Sequence, residues 1–309
     1  MILVAGATGT LGKQLIPLLQ SSGSLRAVVR DPASSRDLAG VEVVHGDVRD
    51  PEVLRRAVAG VEIVVSALSG FGASGDVSVE SIDRDACRNL VDAAAAAGVR
   101  HFVLVSAWQA SPRHPMDLMK AKAAAEAHLK ASQMTWTILR PTLSTETWTE
   151  LLGRPLLQAG KTTVFGRGNQ PVNFVSARDV ARFVALAVTD PAMRGLTLEV
   201  GGSENLTMNQ FVARFQEVTG VAGSVAHYPL PVMRVLAIAL RPIKQQMSRH
   251  IQAGIHIDTS GFAFDGVAAR TIYPGIPFTS IADVFRLEHG EPAASRSDHP
   301  ATDGVAAAL

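Results

Sequence analysis

Up to about residue 145, short β-branched and apolar runs alternate with stretches whose apolar positions recur at helical spacing. Ile2–Ala5, Leu25–Val29, Val41–Gly46, Ile63–Ala67, Phe102–Ser106 and Thr135–Leu139 read as strands. Leu11–Ser21, Pro51–Val58, Val79–Ala97 and Met119–Lys130 read as helices. Strands alternating with helices build βαβ units and a parallel sheet. Parallel strands are covered on both faces and therefore read as unbroken apolar runs, as Ile63-Val64-Val65 and Phe102-Val103-Leu104-Val105 do. Gly98, after an alanine run, suits a helix stop.

Beyond residue 145 the pattern loosens. Thr163–Phe165, Asn173–Val175, Leu196–Val200 and Ser224–Tyr228 predict short strands. Ala177–Val188, Met208–Thr219 and a Met- and Leu-rich region over Pro231–Ala253 predict helices. Within that region Val232–Leu240 is the most apolar stretch, and it is far short of the roughly 20 residues that cross a bilayer. It reads as a buried helix or a pocket wall, and Val232–Met247 as a pocket lid or a partner surface. Residues 288–309 are polar, then Ala-rich and aperiodic, and are expected to be a disordered tail.

The chain has 309 residues, 47% of them hydrophobic, which is enough for a full-sized core. Charged residues make up 18% and the formal charge is +1, so composition makes no electrostatic case for nucleic acid or an anionic membrane. Cys87 is the single cysteine, so there is no internal disulfide and no zinc site, and a buried thiol in a reducing cytoplasm is expected. Ile2–Ala5 lacks the basic flank of a secretory leader. No metal is expected.

Gly6-Ala7-Thr8-Gly9-Thr10-Leu11-Gly12 follows the first strand and opens the first helix. In that context glycines have separate uses. The first permits the turn, the second lets the backbone approach a pyrophosphate, and the third lets helix and strand pack closely. The helix N-terminus then presents free N–H groups to phosphate oxygens. Thr8, Thr10 and Leu11 belong to the same cradle. Arg30 ends the second strand, where binders of NAD carry an acid. A guanidinium there accommodates the 2′-phosphate of NADP instead. Asp31 follows directly and argues the other way. Lys13 and Arg36 are further sources of positive charge.

The G-x-x-G-x-x-G spacing, with Val28-Val29-Arg30-Asp31-Pro32, Gly46-Asp47-Val48, Phe102–Ser106 and Ile138-Leu139-Arg140-Pro141, resembles the atypical, NmrA-like branch of the short-chain dehydrogenase/reductase superfamily. The resemblance covers roughly residues 1–200. It implies an α/β, Rossmann-type doubly wound parallel sheet over 1–145, with 173–202 returning to it. A smaller C-terminal substrate lobe would comprise 146–172 and 203–287. NADP(H) is the implied cofactor. Asp47 and Val48 would meet the adenine end, Ser66, Ala67 and Leu68 the ribose, and Pro141 and Thr142 the nicotinamide.

Short-chain reductases usually carry Tyr-x-x-x-Lys on the helix after the fifth strand. Lys122 resembles that lysine, but Leu118 stands at the tyrosine position, and the only tyrosines are Tyr228 and Tyr273. Lys122 is the expected ribose contact or general acid, with Lys120 its competitor in register. Ser106 matches the family's substrate-polarising serine. His114, in the loop before Lys122, would titrate near neutral pH and is a further candidate proton donor. Asp117 lies in the same loop. Trp108, Trp148, Met116 and Phe174 are candidate pocket walls. These residues imply an NADPH-dependent reductase of a small, apolar carbonyl or quinone, acting as a monomer or homodimer. The missing tyrosine leaves a second reading, a redox sensor that binds the cofactor without turnover.

Overall fold

In the computed structural model, which describes residues 1–71 and 77–289, the unbroken apolar runs form one seven-stranded parallel sheet. Its strands are β1 (Ile2–Ala5), β2 (Leu25–Val29), β3 (Val41–His45), β4 (Ile63–Ser66), β5 (His101–Val105), β6 (Thr135–Pro141) and, much later, β10 (Thr197–Val200). The spatial order is β10-β6-β5-β4-β1-β2-β3. The chain therefore reverses direction across the sheet between β1 and β4, and that reversal opens a crevice at the carboxyl ends of the strands. Ile2 pairs with both Leu25 and Ile63, which brings the ends of β1, β2 and β4 to one edge of that crevice.

Helices cover both faces, as buried parallel strands require. On one face α1 (Thr10–Leu19) and α7 (Ala177–Thr189) close a core around Leu15, Val103, Leu139 and Phe183. On the other, α2 (Pro51–Val58), α3 (Cys87–Ala96) and α4 (Asp117–Lys130) close a core around Leu3, Leu54, Leu90, Phe102 and Ile138. The stretch read as a helix over Val79–Ala97 is not uniform. Residues Glu80–Ala86 form a π-helical stretch before α3 begins, a wider winding that often marks a functional site.

The second lobe consists of β7 (Leu143–Ser144), α5 (Thr145–Trp148), a π-helical stretch at Thr149–Gly153, α6 (Arg154–Ala159) and β8 (Lys161–Phe165). It continues with β9 (Val172–Val175), β11 (Asn205–Leu206), α8 (Met208–Thr219), β12 (Ser224–Tyr228), α9 (Leu230–Leu240), α10 (Gln245–Ser260), α11 (Val267–Ile272) and α12 (Ile281–His289). Strands β7, β9 and β11 form one small sheet, and β8 with β12 another. Its own core centres on Phe174, Phe211, Phe215 and Phe285.

Three sequence expectations change. Of residues 173–202, α7 and β10 lie in the main layer, whereas β9 pairs with β7 and β11 in the small sheet. The helix expected over Pro231–Ala253 is two helices. Pro242 cannot donate a backbone hydrogen bond, and a turn closed by Ile243 and Lys244 amides on Leu240 carbonyl separates α9 from α10. Of the tail expected at 288–309, Glu288 and His289 complete α12, and 290–309 lie outside the described residues.

Candidate functional site

The crevice is a cavity of about 710 Å³ whose wall runs from the glycine turn to the second lobe. At one end stand Gly6, Thr8, Gly9, Thr10, Leu11 and Gly12. The three glycines have different reasons. A Cβ on Gly12 would lie 2.2 Å from Gly6 carbonyl oxygen, and one on Gly6 would lie 2.6 Å from that of Ala67. Both glycines are demanded by the fold itself, and Gly6 also has φ +92°. Gly9 is different: a Cβ there would meet nothing nearer than Gly6 carbonyl oxygen at 3.5 Å. Nothing among the described residues fills that space, which faces the cavity. Gly9 is also the N-cap of α1, with no side chain capping the helix and no acid in its first turn. The free amides of that turn are therefore left for a negatively charged group, as a pyrophosphate cradle requires.

Next along the wall come Arg30, Asp47 and Val48. Arg30 is exposed and makes no ion pair among the described residues, with Asp47 further along the wall. Asp31 turns away, accepting from Ala33 amide at 2.9 Å and Ser34 hydroxyl at 3.3 Å, and so caps the turn Pro32–Ser35. The end of β2 thus presents a guanidinium to the cavity while the neighbouring carboxylate is turned to its own backbone. Asp47 is gripped by Arg49, whose Nε and Nη2 lie 3.0 and 2.8 Å from its oxygens. That hydrogen-bonded pairing, with Arg30 nearby, holds the carboxyl below its usual range and keeps it an acceptor.

Ala67 and Leu68 line the cavity, but Ser66 does not. It ends β4 buried against α3, its hydroxyl 3.8 Å from Cys87 sulfur. Cys87 is buried, and burial pushes its thiol up to about 11, so it is inert.

Lys122 and Ser106 line the middle of the cavity beside Leu118, Pro141 and Thr142. Both polar groups are committed elsewhere. Lys122 Nζ donates to Leu68 carbonyl at 2.8 Å and Val105 carbonyl at 3.1 Å, and lies 3.0 Å from Asp83 Oδ1. The other Asp83 oxygen accepts from Gly70 amide at 2.8 Å. Lys122 therefore ties α4 to the ends of β4 and β5 and to the π-helical stretch. Ser106 hydroxyl donates to Glu126, which Arg140 also grips at 2.9 and 2.6 Å. Lys120 points outward to Asp117 on the surface and is absent from the wall.

His114 is off the wall as well. Its Nδ1 accepts from Met116 amide at 3.0 Å, and its ring meets His256 edge to face at 4.7 Å. Burial and the charges of His256 and Lys120 hold it below the usual histidine range, so it is a neutral ring in a loop contact. Phe174, buried against Phe211 at 4.6 Å, belongs to the second core.

The end of the cavity away from the glycine turn is lined by Trp108, Met116, Met119, Trp148, Ile257 and Phe262. Trp108 packs edge to face on Phe262 at 4.9 Å. Asn173 fixes the edge formed by Thr142: it accepts from Thr142 hydroxyl at 2.9 Å and Gly202 amide at 2.8 Å. Ile257 and Phe262, which reach the cavity from a distant segment, and Asp83 and Asn173, which hold the wall residues Lys122 and Thr142, carry no local sequence signal. Among the described residues no cluster of His, Cys, Asp or Glu could hold a metal, and no helix is long and apolar enough to cross a membrane.

A parallel sheet reversing at β1 and β4, with an uncapped glycine turn at the reversal, defines a dinucleotide-binding α/β protein. The chain belongs to the NAD(P)H-binding family, whose model matches residues 6–191. It is 30% identical over 253 residues to the NAD(P)H azoreductase of Xenophilus azovorans, covering 80% of each chain. It is 25% identical over 239 residues to the photosystem II assembly factor Ycf39 of Trieres chinensis, covering 76% of this chain and 74% of the relative. Its fold matches an NADPH-dependent quinone oxidoreductase from Escherichia coli complexed with NADPH, with TM-score 0.74 and 23% identity. That match covers 93% of this chain and 99% of the other.

Proposed function

We propose that this protein is an NADPH-dependent reductase of a small, largely apolar carbonyl or quinone. The observation carrying the reading is one cavity that joins an uncapped glycine turn and Arg30 to an aromatic pocket. The first turn of α1 binds the pyrophosphate, and Arg30 takes the 2′-phosphate. Pro141 and Thr142 border the nicotinamide, which when bound supplies a hydride. Trp108, Trp148, Met116 and Phe262 exclude water and hold an apolar acceptor against it.

Proton supply shapes the substrate class. Leu118 has no proton to give, Ser106 donates to Glu126, Thr142 to Asn173, and Ser144 to Glu146 at 3.1 Å. Thr147 hydroxyl, with no partner among the described residues, is available to hydrogen-bond an acceptor oxygen. Such a wall suits an acceptor whose reduced form is stable as an anion and takes its proton from water. The relatives named azoreductase and quinone oxidoreductase support reductive use of the cofactor.

Titration of tryptophan fluorescence with NADPH and NADH, followed by incubation with a panel of quinones and aldehydes, tests the reading. Cofactor oxidation by quinones in preference to aldehydes is expected. A second reading, a sensor without turnover, is favoured by the internal commitment of Lys122 and Ser106 and by a relative named as an assembly factor. Tight NADPH binding with no oxidation across the panel selects it.

A further inference from the structure

Helix α9 is apolar on nearly every side, a composition that belongs inside a core. Yet it buries only a narrow stripe, Met233 and Ala237, against Ile251 of α10. Its outward side chains Val235 and Ile238 are 67% and 77% exposed, and Ile243 in the following turn is 79% exposed. Val232 and Leu236 on α9 and Met247 on α10 are exposed as well. No soluble chain gains from presenting such a patch to water unless something covers it.

The formal charges within the segment that carries the patch are of one sign. Between Leu230 and Ile257 there are four cations, Arg234, Arg241, Lys244 and Arg249, and no carboxylate. Arg249 is paired with Glu80 at 2.9 Å. Arg234, Arg241 and Lys244 are exposed and make no ion pair among the described residues. The chain's formal charge of +1 conceals this segregation. A second copy of the same face would set like charges together. An apolar crown rimmed by unpaired cations matches an anionic lipid surface, where aliphatic side chains enter the acyl boundary and cations meet phosphate headgroups.

We infer that α9 and the turn at Ile243 dock the protein on the surface of an anionic membrane, without crossing it. Helix α10 links this surface to the cavity: Ile251 carries α9, while Ala253 and Ile257 line the cavity. The docking surface stands apart from the cofactor site, and its test uses neither NADPH nor a quinone.

The test is co-sedimentation of the full chain with vesicles of phosphatidylcholine alone or with about 30% phosphatidylglycerol, at low and high salt. Binding to the anionic vesicles at least about tenfold stronger than to the neutral ones, and weakened by salt, is expected. Ile238→Glu with Ile243→Glu abolishes it, and Arg241→Glu with Lys244→Glu removes the preference for anionic vesicles. Leu287→Glu, an exposed apolar residue on α12, leaves binding unchanged. Circular dichroism confirms that each variant is folded. Absence of binding to anionic vesicles at low salt overturns the inference, as does equal binding to both vesicle types. So does unchanged binding by the Ile238→Glu, Ile243→Glu variant. A dimer that these two substitutions dissociate, without any vesicle binding, assigns the face to a second copy and overturns it too.

Discussion

Lys122 Nζ lies 3.0 Å from the Asp83 carboxylate, with both side chains buried. The pair joins α4 to the π-helical stretch, and the ammonium donates to two backbone carbonyls. At a position where the family resemblance implies catalysis, the lysine is thus also a structural tie.

Removing one member of a buried pair strands the other charge, at a cost of about 3–5 kcal/mol. Lys122→Met is expected to lose that much stability in urea unfolding. Adding Asp83→Asn should recover most of the loss, because the orphaned charge is gone. A Lys122→Met protein as stable as the parent would show that the pair contributes nothing to the fold.

Gly9 and Gly12 make a paired prediction. Gly12→Ala forces a Cβ to 2.2 Å from backbone and should disrupt the junction of β1 and α1. Gly9→Ala meets only an ordinary contact at 3.5 Å, so its melting temperature should match the parent. Its methyl group enters the space assigned to pyrophosphate, so dinucleotide affinity should fall by about tenfold or more, as for loss of a charge-assisted hydrogen bond. Calorimetry separates the two effects, and full affinity in Gly9→Ala would move the pyrophosphate elsewhere.

Arg30 sets cofactor choice because Asp31 is occupied with its own turn. Arg30→Ala should weaken NADPH binding by about tenfold, the worth of a charge-assisted hydrogen bond, and leave NADH binding unchanged. Asp31→Ala should alter neither affinity. Parallel fluorescence titrations decide this, and equal losses for both cofactors would remove the 2′-phosphate from Arg30.

The parts of the site legible in the sequence are those set by local geometry. The glycine turn is such a case, because close packing at Gly6 and Gly12 follows from adjacent strand and helix. Arg30 is another, since its position at a strand end places it on the crevice. Pro242 is a legible stop inside the stretch expected as one helix. Asp83, Asn173 and Phe262 could not be read, because each acts on a segment remote in sequence. The sequence leaves α9 open between a buried helix or pocket wall and a lid or partner surface, and only the fold shows its outer face exposed.

Protonation should loosen the contact between the loop after β5 and α10. His114 and His256 stand edge to face at 4.7 Å, and burial holds both below the usual histidine range. Lys120 adds to the effect at His114, and burial acts the same way on His101, His250 and His289. A base whose folded pKa is depressed binds fewer protons folded than unfolded. Stability therefore falls as pH drops from the unfolded value near 6.5 through the lower folded value. Glu288 runs the other way. Burial, with Glu146 and Glu150 nearby, pushes it up to about 7, so it favours the fold as pH falls from there toward its ordinary value of 4.5. The observed slope is the sum of these, and a variant isolates the histidine part. His114→Gln removes one depressed group and one side of the ring pair, so its melting temperature should fall less than the parent's between about pH 7 and pH 5. Parallel thermal melts across that range check the sign, and identical slopes in the two proteins would show that His114 does not take up a proton on unfolding.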